Sequence, residues 1–245
     1  MGVKVGVLGA AGRMGATVCD AVDSDNELEL VARVDLDDSL DQLVESHAEV
    51  VVDFTTPDAV KDNIKFCLEN GIHAVVGTTG ISEGDLKDVA GWAAAGDANA
   101  FIAPNFAIGA VLMMRFASEA APYFDNAEII ERHHENKLDA PSGTALRTAS
   151  LMNESRGKSW SQLAKGSESL AGSRGGESDG VRIHSVRVPG SVAHQEVIFG
   201  TLGETLTIRH DSLDRSSFMP GVVLAVKKVG SLDGLVVGLE NLLDL

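Results

Sequence analysis

The sequence lacks the features of disulfide-rich, membrane-spanning and metal-binding proteins. It has only two cysteines in 245 residues, Cys19 and Cys67. Each lies in a segment of helical periodicity, so we expect both to be buried core residues. There is no uninterrupted apolar run of the roughly 18 residues that a transmembrane helix needs. The seven histidines show neither HExxH nor paired-cysteine spacing, and we therefore predict no metal site.

Basic residues are also scarce. Lysine and arginine together number 20 against 36 aspartates and glutamates, which gives a formal net charge of −16. Nucleic-acid binding depends on a basic surface that displaces counterions, so this composition argues against nucleic acid as a partner. The apolar stretch within residues 1–9 is too short for a signal peptide, and a cytoplasmic location is the expectation that remains.

Strand and helix patterns alternate through residues 1–103. The strand segments are runs of Val, Ile and Ala without polar alternation, which is typical of parallel strands covered on both faces. This alternation predicts a Rossmann-like, doubly wound α/β domain. The predicted strands are residues 3–8, 28–34, 49–54, 72–77 and 98–103.

The pattern changes after residue 106, so we predict two domains, one of residues 1–106 completed by 213–245 and one of residues 107–212. The second domain is expected to be α+β with an antiparallel or mixed sheet. Residues 166–180 are rich in turn formers and are predicted to form a mobile functional loop or lid. The predicted elements of the second domain are helices over 108–121 and from about Pro141, and strands over 127–133, 181–188, 193–200 and 204–211. The helix and strand expected to return to the first sheet are residues 216–229 and 235–239.

A glycine-rich turn follows the first strand directly and opens the first helix. Glycines allow a tight turn and the close approach of backbone N–H groups to a pyrophosphate, and the positive end of the helix dipole faces the same anion. The spacing is GxxGxxG instead of the commoner GxGxxG. At the start of alternating strands it still predicts dinucleotide binding over a merely tight turn. The turn consists of Gly9, Ala10, Ala11, Gly12, Arg13, Met14 and Gly15.

Asp35 closes the second strand about 20 residues beyond this turn, where an acid accepts hydrogen bonds from a ribose diol. A carboxylate there also repels the 2′-phosphate of NADPH, and the next residues, Leu36, Asp37 and Asp38, provide no arginine to hold that phosphate. We therefore expect NADH or NADPH as cofactor with NADH favoured, although Arg13 can partly compensate. The alternative is an ordinary turn aspartate at a strand end.

Three more loops are expected at the cofactor, because ligands of open α/β sheets bind outside the carboxyl ends of the strands. Phe54 and Thr55 end the third predicted strand, and the next two strands end in Gly-Thr-Thr and Ala-Pro-Asn-Phe. We predict that these loops border the nicotinamide half of the dinucleotide, with turn formation alone as the alternative. The predicted residues are Phe54, Gly77, Thr78, Thr79, Ala103, Pro104, Asn105 and Phe106.

Residues 131–145 concentrate cationic and proton-donating side chains in an acidic protein. His133, His134 and Lys137 lie at a strand end and in the following turn, where a histidine can give or take a proton near neutral pH. A helix that begins near Pro141 would present unpaired N–H groups to a carboxylate. We therefore predict a site for an anionic small-molecule substrate, with a solvated polar loop as the alternative. The donors would be those of Ser142, Gly143 and Thr144.

Together these motifs resemble the 4-hydroxy-tetrahydrodipicolinate reductase (dihydrodipicolinate reductase) family of the diaminopimelate and lysine pathway. The resemblance covers essentially the whole chain, and its most specific part is His-His-x-x-Lys followed by Pro-Ser-Gly-Thr. It implies that His133 and Lys137 are the acid/base and proton-donor pair. It also implies substrate contacts for His134, Gly143 and Thr144, and a homotetramer formed through the second domain's sheet.

The resemblance predicts an oxidoreductase that transfers a hydride to C4 of the cyclic dicarboxylate, with loss of water from C4. Which of His133 and Lys137 donates the proton stays open. Some relatives carry an acid followed by arginine where this chain has Asp35 and Leu36, which puts a strong NADPH preference in doubt. One alternative is another two-domain nicotinamide reductase, such as an amino-acid dehydrogenase. The other is a non-catalytic protein that senses dinucleotides and has no need of the histidine and lysine cluster.

Overall fold

Two sheets organise the chain, each in its own compact unit. Unit 1 comprises Met1–Ile108 and Arg215–Leu245, and unit 2 comprises Gly109–Asp214. The computed structural model describes residues 2–161 and 167–243. None of the helices in these ranges is long and apolar enough to cross a bilayer.

Unit 1 begins with alternating strands and helices. Its strands are short, apolar and buried, which is what a sheet covered on both faces requires. Pro57 opens one helix at a position where its missing N–H costs nothing, and a Ser82 capping box opens another. The elements are β1 (Val3–Leu8), α1 (Arg13–Ser24), β2 (Leu28–Val34), α2 (Asp41–Glu45), β3 (Val50–Asp53), α3 (Pro57–Glu69), β4 (His73–Val76), α4 (Glu83–Ala94) and β5 (Ala100–Ile102).

Unit 2 has two long helices and a sheet with clear inward and outward faces. On β6, for example, Ala127, Ile129 and Glu131 are buried while the alternate residues are partly or fully exposed. The elements are α5 (Ile108–Ala120), β6 (Asn126–His133), α6 (Gly143–Arg156), β7 (Gly176–Ser178), β8 (Val181–Arg187), β9 (Ala193–Thr201) and β10 (Glu204–Ser212).

The chain then returns to unit 1 through α7 (Met219–Lys228) and β11 (Leu235–Val237), which pairs in parallel with β5. Over the described residues the sheet of unit 1 has the order β11-β5-β4-β3-β1-β2, and each of its pairs is parallel. From β1 the chain adds β2 on one side and then β3, β4 and β5 on the other, so the strand order switches between β1 and β3. Such folds bind ligands in the crevice beyond the carboxyl ends of the strands at this switch.

The sheet of unit 2 is mixed, with the order β10-β9-β6-β8-β7 in the part of the chain that the structure describes. Only the β6–β8 pair is parallel among these strands. Helices α5 and α6 pack on one face through small residues such as Ala117, Ala145 and Ala149, against Ile129 and Phe199 of the sheet. The predicted fold class, a doubly wound parallel sheet plus an α+β domain with a mixed sheet, is confirmed.

Three details differ from the sequence predictions. Helix α6 begins at Gly143, two residues later than predicted, because Ser142 serves as its N-cap. The segment predicted as a loop at 166–180 contains β7, which pairs with β8, while residue 166 lies outside the described residues. A 3-10 turn precedes α7, so that helix starts at Met219 and not at Ser216. Cys19 and Cys67 are free and buried, as expected.

Candidate functional site

The glycine turn of unit 1 is too tight for larger residues. Gly9 has a φ of 74°, and a Cβ there would lie 2.5 Å from the Phe54 carbonyl oxygen. A Cβ on Gly15 would lie 2.0 Å from the Gly9 carbonyl oxygen. Gly12 is the N-cap of α1 and offers no side-chain cap, so the first N–H groups of α1 point into the turn. Arg13 and Met14 are the first two residues of this helix.

Asp35 joins the end of β2 to the glycine turn. One carboxylate oxygen accepts the Leu36 N–H at 2.9 Å, and the other accepts the Ala11 N–H at 2.7 Å. These two hydrogen bonds lower the pKa of Asp35, so it is ionised at neutral pH. The Ala10 N–H donates to the Val34 carbonyl at 3.2 Å, which holds the other side of the turn.

The remaining predicted cofactor residues lie at the same edge of the sheet. The Phe54 and Phe106 rings are 5.9 Å apart between centroids. Gly77 lies against Phe54, since a Cβ on Gly77 would come within 2.2 Å of that ring. Ala103 continues from β5, and its N–H donates to the Val76 carbonyl at 3.0 Å. Among the others, Thr78 is buried, Asn105 is half-buried, and Thr79 and Pro104 are exposed.

Unit 1 therefore fits a nicotinamide dinucleotide. The glycine turn has no room for side chains at Gly9 and Gly15, α1 starts without a side-chain cap, and an ionised carboxylate lies at the end of β2. Among the described residues no group of three or more His, Cys, Asp or Glu side chains is arranged to hold a metal ion.

In unit 2 the organising residue is Glu131, which sequence reasoning missed. Its side chain is 0% exposed, and one oxygen lies 2.5 Å from His133 Nδ1. Arg187 grips both oxygens with its two guanidinium nitrogens, at 2.8 and 2.9 Å. The Ser142 N–H donates to the same carboxylate at 3.3 Å. Burial raises the pKa of Glu131, but hydrogen bonds from His133, Arg187 and Ser185 outweigh it and hold the pKa at about 2.

This contact fixes the orientation of His133. Because Glu131 is ionised and accepts from Nδ1, the proton on Nδ1 is held there, and Nε2 is the nitrogen that can exchange a proton. The His133 side chain is 15% exposed, so its ring is packed but reachable. A histidine that is held in this way by a carboxylate can act as an acid or a base.

Lys137 lies in the turn after β6, where its N–H donates to the His134 carbonyl at 3.2 Å. Its ammonium pairs with Asp139 at 2.7 Å and, within the described residues, has no recorded bond to His133. This ion pair lowers the pKa of Asp139. Arg187 also donates to the Asp139 carbonyl at 2.6 Å, so the turn that carries Lys137 is tied to the Glu131 carboxylate.

The start of α6 corrects one prediction. Ser142 is 3% exposed, its Oγ accepts the Ala145 N–H at 3.2 Å, and its own N–H is bonded to Glu131. The backbone N–H that we assigned to substrate carboxylate is therefore used inside the protein. Gly143 and Thr144 are the first two residues of the helix.

The sequence contained a signal for Glu131 but not for Arg187. Residues two apart on a strand share a face, so Glu131 and His133 point to the same side of β6. Arg187 reaches them because β8 pairs in parallel with β6 and places it opposite His133. Asp53, at the end of β3, is another buried acid that sequence reasoning missed.

The sequence matches one protein family along most of its length. Residues 3–106 match a family model described as dihydrodipicolinate reductase, N-terminus, and residues 109–243 match its C-terminus counterpart. The chain is 58% identical to the 4-hydroxy-tetrahydrodipicolinate reductase of Nocardia farcinica, covering 100% of both chains. It is 57% identical to that of Mycolicibacterium smegmatis, over 99% of this chain and 100% of the relative.

A solved structure agrees over the same length. It is the dipicolinate-bound dihydrodipicolinate reductase from Paenisporosarcina sp. TG-14, with a TM-score of 0.90 and 41% sequence identity. The match covers 99% of this chain and 100% of that one.

The depressed pKa of Glu131 predicts a specific acid sensitivity of folding. Its value falls from 4.5 to about 2 in the folded protein, so the stabilisation is present above pH 4.5 and is lost as the pH falls towards 2. When Glu131 is fully ionised, its lowered pKa adds about 3 kcal/mol to the free energy of unfolding. Urea unfolding from pH 7 to pH 2.5 is expected to show the free-energy difference between wild type and Glu131→Gln shrinking across that window.

The control is Glu204→Gln, because Glu204 is exposed at the start of β10 and takes part in no ion pair among the described residues. Its free-energy difference from wild type is expected to stay nearly constant with pH. A constant difference for Glu131→Gln as well would contradict the assignment.

Proposed function

This chain belongs to the dihydrodipicolinate reductase family, and we infer from its membership that it reduces 4-hydroxy-tetrahydrodipicolinate to tetrahydrodipicolinate with a nicotinamide nucleotide. The inference rests on sequence identity. Over their full length, this chain is more than half identical to relatives that are named 4-hydroxy-tetrahydrodipicolinate reductase. The histidine held by Glu131 in unit 2 supports catalysis over dinucleotide sensing, since a sensor needs no oriented proton donor. The reaction belongs to diaminopimelate and lysine biosynthesis, and we place it in the cytoplasm, as inferred from the sequence.

Unit 1 would hold the cofactor. The glycine turn of residues 9–15 would bind the pyrophosphate through the N–H groups at the start of α1, since those of residues 9–12 are bonded within the protein. Asp35 would accept hydrogen bonds from the ribose. The loops at 54, 77–79 and 103–106 would border the nicotinamide. When bound, the nicotinamide nucleotide supplies the hydride. We retain residues 1–106 and 213–245 as the dinucleotide-binding domain and 107–212 as the domain for substrate and oligomerisation.

Unit 2 would hold the substrate and manage the proton. Gly143 and Thr144 would bind one carboxylate at the start of α6, while His134 and Lys137 would contact the rest of the anion. We assign proton delivery to His133 Nε2, because Glu131 orients the ring and its charge stabilises the imidazolium. Lys137, paired with the more exposed Asp139, is assigned to carboxylate binding.

NADH is the favoured cofactor in this proposal. The ionised Asp35 repels a 2′-phosphate, and the exposed Leu36 beside it offers no positive charge. A homotetramer is proposed from the family resemblance and is supported by the sheet of unit 2. Its face opposite α5 and α6 carries Ile130 and Val186, which are 36% and 40% exposed, and apolar exposure of this kind favours association.

The reaction and its proton donor are tested together in a coupled assay with enzymatically generated substrate. Wild type is expected to oxidise NADH only when the substrate is supplied. His133→Gln is expected to lower kcat by about 10²–10⁴ because it removes the general acid. Lys137→Ala is expected to raise the substrate KM more than it lowers kcat.

The control is Lys158→Ala, since Lys158 is an exposed lysine just beyond α6. The opposite result would be a loss of kcat in Lys137→Ala and a change of KM alone in His133→Gln. It would show that Lys137 and not His133 is the proton donor. Turnover of an amino acid without turnover of this substrate would support the amino-acid dehydrogenase alternative, and binding of NADH with no turnover at all would support a sensor.

Cofactor choice is tested at the residue beside the ribose acid. Leu36→Arg adds a phosphate partner and is expected to move the ratio of kcat/KM for NADPH to that for NADH upward by about tenfold. The matched control Leu36→Glu adds the opposite charge and is expected to move the ratio downward. A wild-type kcat/KM with NADPH far above that with NADH would refute the role given to Asp35.

Assembly is tested by light scattering after size exclusion. Wild type is expected at four times the chain mass, and Val186→Asp, which places a charge on the exposed face of the sheet, is expected to give smaller species. Leu170→Glu is the control, because Leu170 is exposed and lies outside the strands. A wild-type monomer, or a Val186→Asp tetramer as stable as wild type, would exclude assembly through this face.

A further inference from the structure

We propose that Asp53 is a positioning residue for the nicotinamide nucleotide, whose buried carboxylate holds the loops after β3 and β4 in the shape that binds the cofactor. The proposal rests on the proposed function in taking that nucleotide as the ligand of unit 1. Asp53 is the last residue of β3, beside the switch between β1 and β3, and it is 2% exposed.

Four donors from three elements converge on this carboxylate. One oxygen accepts the Thr55 N–H at 2.9 Å, the Thr55 hydroxyl at 2.7 Å and the Thr78 hydroxyl at 2.7 Å. The other oxygen accepts the Asn63 amide of α3 at 2.8 Å. The Thr55 N–H also lies 2.8 Å from the Thr78 hydroxyl oxygen, which links the two loops directly.

The donors are all neutral. No lysine or arginine in the described ranges forms an ion pair with Asp53, so these hydrogen bonds alone offset the loss of hydration of the carboxylate. A buried charge without such bonds is unfavourable by several kcal/mol. Each donor is therefore held firmly, since moving it away would leave the charge less well solvated.

The loops fixed in this way carry predicted cofactor residues. Thr55 follows Phe54, and Thr78 lies between Gly77 and Thr79. The Phe54 ring lies on Gly77 and the Phe54 carbonyl lies on Gly9, so a shift of Phe54 would disturb both neighbouring loops. The carboxylate thus determines how the loops after β1, β3 and β4 meet.

Sheet stability alone does not call for an acid here. The three residues before Asp53 are buried valines, and another apolar residue would continue β3 without a desolvation cost. Asp53 departs from the apolar pattern of β3 at the edge of the sheet where ligands bind. This departure indicates that the binding site, and not the sheet, requires the acid. Asp53 acts through Thr55 and Thr78 and is not itself assigned a contact with the cofactor.

The test is the dissociation constant of NADH, measured by fluorescence titration without substrate, together with the melting temperature of the free protein. Asp53→Ala removes the acceptor for all four donors and is expected to raise the Kd for NADH by about 10–100-fold through misplacement of the loops. Asp53→Asn is the rescue variant. Its amide oxygen accepts from Thr55 and Thr78 as the carboxylate does. Rotation of the Asn63 side-chain amide by 180° lets the Asn63 oxygen accept from the amide NH2 at position 53, so all four contacts persist and the Kd is expected to stay near the wild-type value.

A variant that only destabilises unit 1 separates positioning from loss of stability. Val89→Ala leaves a cavity at a fully buried residue of α4, which is not part of the loops after β3 and β4, and lowers the melting temperature. Its Kd for NADH is expected to match wild type at a temperature where both are folded. An equal rise in Kd for Val89→Ala and Asp53→Ala would overturn the proposal.

Asn63→Ala covers the case in which Asp53→Ala does not fold. It removes one donor from α3, alters no predicted cofactor residue, and is expected to raise the Kd for NADH several-fold. An unchanged Kd in every folded variant of Asp53 and Asn63 would overturn the positioning role while leaving the proposed function intact. Absence of NADH and NADPH binding by wild type would instead overturn the proposed function.

Discussion

A buried carboxylate must be surrounded by donors, and this requirement organises the candidate site in each unit. Glu131 lies on β6, the middle strand of its sheet, and Asp53 ends β3, between β1 and β4. Neither can be hydrated, so donors from separate segments must come to it. In unit 2 these segments supply a histidine, the start of a helix and an arginine, and in unit 1 they supply a helix amide and two loops.

The two carboxylates are stabilised differently, and the difference suits their assigned roles. Glu131 is charge-compensated by Arg187, which leaves its hydrogen bond to His133 available to orient a ring that must change protonation. Asp53 has neutral donors only, and nothing around it needs to titrate during catalysis. A rigid hydrogen-bonded acid is enough to place a loop, whereas an acid/base histidine needs both an orienting partner and a controlled charge.

Much of the fold, and the tight glycine turn at the end of β1, was predictable because the information is local. Apolar runs determine the strands of unit 1, and glycines at the end of β1 mark a turn that tolerates no Cβ. The contact between Glu131 and Arg187 was not predictable in this way, since these residues are 56 apart and meet only because β6 pairs in parallel with β8. The start of α6 was misplaced for a related reason, since Ser142 caps the helix while its N–H is drawn to Glu131.

The structure also changes the interpretation of the positive charges in residues 131–145. The sequence suggested a cationic cluster, but the charge of Lys137 is balanced by Asp139. A substrate carboxylate that binds Lys137 must displace Asp139, which is the more exposed partner of this pair. Binding of a dianion then depends on the N–H groups at the start of α6 as well as on Lys137.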